Sequence, residues 1–324
     1  MSAPILETRA LRKSFDVGGR TLNAVRGVDL AIARGETFGL VGESGCGKST
    51  LARTIMGIHP PTTGEVLFEK ARVPTAGRAR RAFTRRMQMV FQDPYSSLNP
   101  RMTVGEIIAE GPEVHGMGSR AEVKQRVRDQ MRAVGLDPSY ENRFPHEFSG
   151  GQRQRIAIAR ALAVEPEMVV CDEPVSALDA SIQGQIVNLL RRLQQEKGLT
   201  YLFVAHDLLM VKYISDRVGV MYLGRLVEVA SSADLFARPL HPYTQALLSS
   251  VPVPDPVAER QRVELTPEGE LPSPFAEIQG CAFRDRCTHA APACQRDVPR
   301  QPAGPEHEFL CTLPPDWVHQ AKAA

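Results

Sequence analysis

Gly42 to Thr50 read GESGCGKST and satisfy G-x-x-x-x-G-K-[ST], the feature that most narrows the folds open to this chain. The motif follows the apolar run Phe38–Val41 and opens a stretch of helical character from Lys48. A loop in that setting calls for a strand ending on one side, a helix beginning on the other, and a sheet whose strand ends face a ligand. Its glycines let the backbone curl until several N–H groups converge on a phosphate, and the helix N-terminus adds its positive dipole end. Lys48 then meets the β- and γ-phosphates, and the Ser49 hydroxyl is placed to ligate Mg²⁺.

Besides the run that feeds this loop, Thr37–Val41, three further strand-like runs end in polar groups suited to phosphoryl chemistry. Met87–Phe91 ends in Gln92, Met168–Cys171 in Asp172 and Glu173, and Tyr201–Ala205 in His206. In open α/β sheets ligands bind beyond the carboxyl ends of the strands, so the four ends are expected to converge on one crevice. Asp172 would reach the magnesium. Glu173, one residue on, projects differently and is placed to take a proton from an attacking water. Taken singly, Glu173 also suits a cap on the turn before Pro174, and His206 a structural place at a strand end.

A length of 324 residues predicts about two domains, or one large domain with an appendage. A net charge of only +2 argues against a nucleic-acid binder or a polybasic membrane anchor. No window approaches the ~18 consecutive apolar residues of a membrane span, and the N-terminus shows no basic start followed by an apolar core. The cytosol is therefore the expected compartment. Between the second and third strand runs, Pro94–Ala163 carries helical patterns at Arg120–Val134 and Gly151–Ala163 and reads as an inserted helical subdomain. The basic run Arg78–Arg86 reads as a solvated helix face or loop. Of 25 prolines, 14 lie from Pro239 onward, which puts a boundary near 240 to 250. A short helix to Ser249, a proline-rich linker over Val251–Pro274 and a cysteine-rich tail follow.

Phe148-Ser149-Gly150-Gly151-Gln152 resembles the signature sequence of ABC-transporter ATPases, and Ser176-Ala177-Leu178-Asp179 resembles their D-loop. With Gln92 and His206 the motif set is complete and in order over residues 1 to about 250. The resemblance implies an α/β fold: a phosphate-loop NTPase domain with a RecA-like core sheet, a helical subdomain over about 94–163, and a small extension over 251–324. It implies a head-to-tail dimer in which ATP lies between the loop of one subunit (Gly42, Glu43, Ser44, Gly45, Cys46, Gly47, Lys48, Ser49, Thr50) and Ser149, Gly150, Gly151, Gln152 and Asp179 of the other. Phe15 takes the place of the family's adenine-stacking aromatic. Gln92 joins Ser49 and Asp172 around Mg²⁺, and Glu173, His206, Gln92 and Lys48 carry catalysis. On their own, Ser149 also suits an ordinary helix cap and Phe15 a core position.

Phe148 stands where leucine is commoner and Cys46 where a smaller residue is usual; neither removes a needed donor or charge. FQDPYSSLNPR (Phe91–Arg101) and HPYTQALL (His241–Leu248) resemble the oligopeptide and dipeptide permease ATPases, and most nearly their F-type subunit. That branch implies an ATP hydrolase that energises peptide uptake through two integral-membrane permease subunits, paired with a second ABC ATPase. A solute-binding protein outside the cytoplasm would deliver the cargo, and the chain would sit peripherally on the cytoplasmic face of the inner membrane. Nickel, glutathione or another solute is the alternative cargo. A soluble ABC ATPase acting on ribosomes or DNA usually carries two cassettes or a long coiled insertion, whereas this chain has one phosphate loop.

In the tail, Cys281-x5-Cys287-x6-Cys294-x16-Cys311 lacks the C-x-x-C pairs common in zinc ribbons. Four soft thiolates suit zinc or an iron–sulfur cluster, and in a reducing compartment metal is favoured over disulfides. Resemblance to the peptide-permease branch implies a [4Fe-4S] cluster, with Zn²⁺ and unmetallated thiols as alternatives. Cys171, inside a strand run, reads as a small buried hydrophobe.

Overall fold

The computed structural model describes residues 3–251, 255, 265, 272–273 and 275–318. Most of the Val251–Pro274 linker lies outside the described residues. The chain opens on two long strands, β1 (Pro4–Val17) and β2 (Arg20–Ala33), which pair antiparallel with Val17 opposite Arg20. The turn between them is Gly18-Gly19, with φ of 61° and 76°, the left-handed pair that a two-residue hairpin of matching twist requires. β3 (Thr37–Val41) runs into the phosphate loop and α1 (Lys48–Ile55). The strands β4 (Thr63–Phe68) and β5 (Ala71–Arg72) complete a four-stranded sheet in the order β2-β1-β4-β5.

The basic run forms most of α2 (Gly77–Arg86), which buries only Phe83 and leaves Arg78, Arg81 and Arg85 exposed. β6 (Met87–Val90) follows, then four helices with no intervening strand: α3 (Pro94–Ser97), α4 (Val104–Val114), α5 (Arg120–Ala133) and α6 (Gly150–Leu162). Capping boxes start three of them, Thr103 with Glu106, Ser119 with Glu122 and Ser149 with Gln152, so orphan amide groups at each helix start are met locally. The expected helical insertion is thus present.

β7 (Met168–Asp172), α7 (Ala180–Lys197), β8 (Thr200–Val204), α8 (Leu208–Ile214), β9 (Arg217–Tyr222) and β10 (Arg225–Ser231) bring the chain back through the central sheet. After α9 (Ser232–Ala237) and α10 (Pro242–Ser249), the tail adds β11 (Arg300–Pro302) and β12 (Glu308–Leu310). The central sheet has the order β11-β12-β10-β9-β3-β8-β7-β6. β9, β3, β8, β7 and β6 are all parallel. β3, β7 and β8 are buried at every residue, which is why they read as unbroken apolar runs instead of alternating. Parallel pairing puts the carboxyl ends of β3, β6, β7 and β8 on one edge, and that edge positions the site.

The large side chains of the tail bury against the rest of the chain. Phe283 packs on Tyr222 and Tyr243, and the Trp317 indole N–H donates to the Leu240 carbonyl at 2.9 Å. β12 pairs antiparallel with β10. Between them the fully buried Glu228 accepts the amides of Leu240 (2.8 Å) and His241 (2.9 Å) and lies 2.7 Å from His307 Nε2. Burial holds the His241 imidazole down at about 4, so it stays neutral beside this carboxylate through the physiological range.

Candidate active site

The loop after β3 makes its curl in backbone conformations closed to side chains. Gly42 (φ 153°) and Gly47 (φ 107°) approach the Met221 and Ala24 carbonyls so closely that a Cβ would sit 2.1 and 2.2 Å from those oxygens. Lys48 is 4% exposed, and its ammonium donates to the carbonyls of Gly42 (2.8 Å) and Glu43 (3.0 Å). The cation therefore already lies across the mouth of the curled loop. Burial lifts the Cys46 thiol above its ordinary range, so it fills space as a neutral group.

Ser49 Oγ donates to Asp172 Oδ1 at 2.7 Å. The other oxygen of Asp172 is buried without a hydrogen-bond partner, 3.7 Å from the Arg53 guanidinium. Burial raises this carboxyl above the usual carboxylate range, while the Ser49 bond and the charge of Arg53 act against it. An orphaned carboxylate oxygen beside a serine hydroxyl fits a hard divalent cation, which takes oxygen donors. Ser49 and Asp172 are the residues that would hold Mg²⁺.

Glu173 carries a left-handed backbone (φ 47°), a conformation that costs a residue with a side chain roughly 1–3 kcal/mol. Its amide donates to Val204 O at 2.9 Å. This turn swings the Glu173 carboxylate away from Asp172 and toward the neighbouring strand ends. There Gln92 Nε2 donates to Glu173 Oε2 at 2.9 Å, and His206 Nδ1 stands 3.6 Å from the same oxygen. The three residues expected to share phosphoryl chemistry thus meet around one oxygen atom. Gln92 and Glu173 line one cavity of about 290 Å³ with Ser44, Lys48, Ser49 and Thr50. Asp172 is joined to it through Ser49, and His206, 59% exposed, through Glu173.

Phe15 does not line that cavity. It sits on β1 opposite Leu22 of β2, edge-on to His59 at 5.3 Å with Lys13 Nζ over its other face at 4.7 Å. The wall is built instead from Leu22, Asn23, Ala24 and Arg26 of β2 and from Leu223 and Gly224 of the β9–β10 turn. None of these six was singled out from the sequence. The one signal that could have found them is the Gly18-Gly19 turn, which folds β2 back over the loop.

Ser149 acts as the N-cap it also suited: its hydroxyl accepts the Gln152 amide at 3.4 Å, and Gln152 Oε1 accepts the Ser149 amide at 3.0 Å. Gly150 and Gly151 lie against Leu178 and Ile182, and a Cβ at Gly151 would meet Ile182 Cγ2 at 2.5 Å. Asp179 stands at the N-terminus of α7 without capping it. Neither the signature residues nor Asp179 line the cavity of their own chain.

The four tail thiols are gathered but not closed on a point. Burial raises Cys281, Cys287 and Cys311, the last to about 12, and Cys311 is also raised by the charges of Cys281, Cys287 and Cys294. Cys294 Sγ lies 3.4 Å from Thr312 Oγ1. Among the described residues no group of three or more His, Cys, Asp or Glu is disposed to hold a metal ion. The expected metal site is therefore not formed by these side-chain positions, although the donor set is chemically suited to one. Cys171 is fully buried, as expected of a strand hydrophobe.

Phosphate loop, orphaned acid and Gln–Glu–His constellation at one edge of a parallel sheet define a phosphate-loop ATPase. Residues 25–176 match the ABC transporter family, and residues 227–294 match the oligopeptide/dipeptide transporter C-terminal region. The chain is 55% identical over 314 residues to a putative oligopeptide transport ATP-binding protein, YkfD of Bacillus subtilis, covering 96% of this chain and 95% of that one. It is 57% identical over 268 residues to the oligopeptide transport ATP-binding protein OppF of the same organism, covering 81% and 87%. Among solved structures it is similar to cbiO1 of Clostridium perfringens, part of the ABC transporter complex cbiONQ, with TM-score 0.66, 30% identity and coverage of 73% and 92%. The ATP-binding cassette MJ0796, in a dimeric post-hydrolysis state with ADP and phosphate, gives TM-score 0.64, 28% identity and coverage of 70% and 98%. The chain belongs to the ABC transporter ATP-binding proteins, in their oligopeptide/dipeptide branch, and is an ATP hydrolase.

Proposed function

We propose that this chain is the ATP-hydrolysing subunit of an importer that takes up di- and oligopeptides through separate membrane proteins. The observation that carries the chemistry is the convergence of Gln92 and His206 on Glu173 beside the phosphate loop. The cargo reading rests on the branch to which both halves of the chain belong. In this reading Lys48 and the loop amides bind the triphosphate, Glu173 takes the proton of the attacking water, and Gln92 and His206 orient that carboxylate. Ser49 and Asp172, with Gln92 alongside, would hold Mg²⁺, which when bound would supply charge neutralisation on the phosphates. Ser149 to Gln152 and Asp179 complete the site of a second ATPase subunit. Support for this comes from their absence from their own cavity and from a related cassette that is dimeric. Phe15, on β1 outside the cavity lining, would stack on the adenine where the base projects beyond that cavity. Residues 1–250 form the ATPase domain and 251–324 the extension.

Two membrane permeases, a sibling ATPase and, indirectly, a solute-binding protein are the expected partners, with the chain peripheral on the cytoplasmic face. Among the described residues no helix is long and apolar enough to cross a membrane. Affinity purification from gently solubilised native membranes, with mass spectrometry, is expected to recover two multi-spanning proteins and a second ATPase in stoichiometric amounts. Recovery only with ribosomal or DNA-bound partners would leave the ATPase chemistry standing and remove the transport reading.

We propose further that Cys281, Cys287, Cys294 and Cys311 ligate a [4Fe-4S] cluster, with Zn²⁺ as the alternative metal. The support is the soft donor set and the mutual electrostatic reach of the four thiols. Anaerobically purified protein is expected to be brown and to carry labile sulfide with about four irons per chain. Colourless protein with stoichiometric zinc would replace cluster by zinc, and protein with neither would end the metal reading.

A further inference from the structure

Glu43 of the phosphate loop is held both by its own loop and by residues from the C-terminal part of the chain. Its amide donates to Tyr243 Oη at 2.9 Å. Its carbonyl accepts Lys48 Nζ and, at 3.3 Å, the Cys46 amide. Its carboxylate receives Arg286 Nη1 at 3.1 Å to each oxygen. Arg286 lies between two of the tail cysteines, in a side-chain environment only 12% exposed. Its guanidinium also reaches Tyr222 Oη at 3.4 Å. The ring beside it, Phe283, wedges against Tyr222 and Tyr243, so both outside anchors of Glu43 belong to one packed unit. Two other contacts tie the same segment to the rim of the site: Arg26 Nη2 donates to Ala276 O, and Arg225 Nη1 to Gly280 O, each at 3.1 Å.

The electrostatics give this contact a consequence for ATP. A carboxylate on the loop that must receive a triphosphate repels the incoming charge unless it is neutralised. Arg286 faces both of its oxygens, in a half-buried place where screening by water is reduced. The contact also fixes the Glu43 carbonyl that Lys48 uses, so loss of the guanidinium loosens the lysine's seat as well.

We propose that Arg286 is a positioning residue for nucleotide binding, through which the cysteine-rich extension holds the phosphate loop and neutralises Glu43. The inference rests on the reading of this loop as the ATP site. Its test is separate from that reading, because Lys48→Ala probes the site itself.

The experiment is a double-mutant cycle on the full-length chain: Arg286→Ala, Glu43→Gln and the pair together, with Arg286→Lys as the conservative variant. The readouts are equilibrium binding of a fluorescent ATP analogue, KM and kcat of phosphate release, and Tm. Arg286→Ala is expected to weaken nucleotide binding and raise KM by about tenfold, with kcat changed less than about twofold. Arg286→Lys keeps the charge without the planar fork and is expected to recover most of the loss. In the Glu43→Gln background the same Arg286→Ala change is expected to have no further effect on binding, since its partner on the loop is already neutral. A merely structural arginine would lower Tm and active fraction in both backgrounds and leave KM alone. Wild-type binding by Arg286→Ala overturns the proposal, as does an equal loss in the two backgrounds. If Arg286→Ala does not fold, the cycle is run with Arg286→Gln, which removes the charge while keeping a polar side chain of intermediate length, and the same two results decide. If Lys48→Ala binds ATP normally, the site reading fails; if it does not, and the cycle shows no coupling, only the role of Arg286 fails.

Discussion

Lys48→Ala protein is expected to bind ATP at least about 100-fold more weakly than wild type and to show no measurable phosphate release. Each hydrogen bond from a charged donor contributes about 1.5–3 kcal/mol, and the ammonium would make two or more with the β- and γ-phosphates. Losing about 3 kcal/mol corresponds to roughly two orders of magnitude in affinity. The position magnifies the loss. Lys48 is almost fully buried and already points across the loop to the Gly42 and Glu43 carbonyls, so its ammonium is held in place before any phosphate arrives. Removing it leaves the Gly42 carbonyl without this donor and the Glu43 carbonyl with the Cys46 amide at 3.3 Å, and a lower Tm by a few degrees is expected from that alone. Binding and melting should therefore be measured together, using a fluorescent nucleotide analogue and a nucleotide-free thermal scan. A folded Lys48→Ala protein that binds the analogue within about threefold of wild type would remove the loop as the ATP site.

The core of the fold was legible because parallel strands buried on both faces carry their signature in one dimension. Thr37–Val41, Met87–Val90, Met168–Asp172 and Thr200–Val204 are dominated by apolar residues; the first runs into the phosphate loop, and the other three reach Gln92, Asp172 with Glu173, and His206 at or within two residues of their carboxyl ends. Shared strand direction then made their convergence a consequence of topology. The β1–β2 pair escaped notice for the opposite reason. Its strands are half-exposed, rich in charge and interrupted by shifts of register between Thr8 and Leu11 and between Lys13 and Ser14, which scramble the period-two pattern. Only the Gly18-Gly19 turn betrays it, and with it was lost the wall of the nucleotide cavity.

Phe15 shows that a role proposed from position along the chain still depends on strand register. An aromatic upstream of the loop can be placed in sequence, but whether it faces the cavity depends on strand register, and here its ring is engaged by His59 and Lys13. The docking of the tail was illegible for a related reason. Phe283, Phe309 and Trp317 are too few to make a core of their own, yet each completes a surface made about 40 to 80 residues earlier. Long-range complementarity of this kind leaves no local periodicity to read. The contact of Arg286 with Glu43, separated by 243 positions, is of the same kind and lies within the site itself.

Glu173→Gln is expected to separate binding from turnover. Gln92 donates to Oε2 of Glu173, and an amide oxygen in the same place accepts that bond equally well, so the constellation keeps its shape. What disappears is the capacity to take a proton from water, and general-base catalysis of this kind contributes about 10²–10⁴ in rate. Phosphate release should fall by that factor. ATP affinity should hold or rise, because a negative charge facing the γ-phosphate has been removed. With hydrolysis blocked, the ATP-bound closed dimer has no route to reopening and should accumulate as a species of doubled mass in the presence of ATP and Mg²⁺. The strained backbone at Glu173 gives the result its meaning, since a residue held at φ 47° between two neighbouring strand ends is aimed by the fold and not by its own preference. His206, standing off at 3.6 Å and largely exposed, orients that carboxylate without holding it alone, so His206→Ala should reduce turnover less than Glu173→Gln does. Normal turnover by Glu173→Gln would move the proton elsewhere and leave Glu173 a spacer between Gln92 and His206. Loss of ATP binding by the same protein would make its charge structural, and either result ends its assignment as the base.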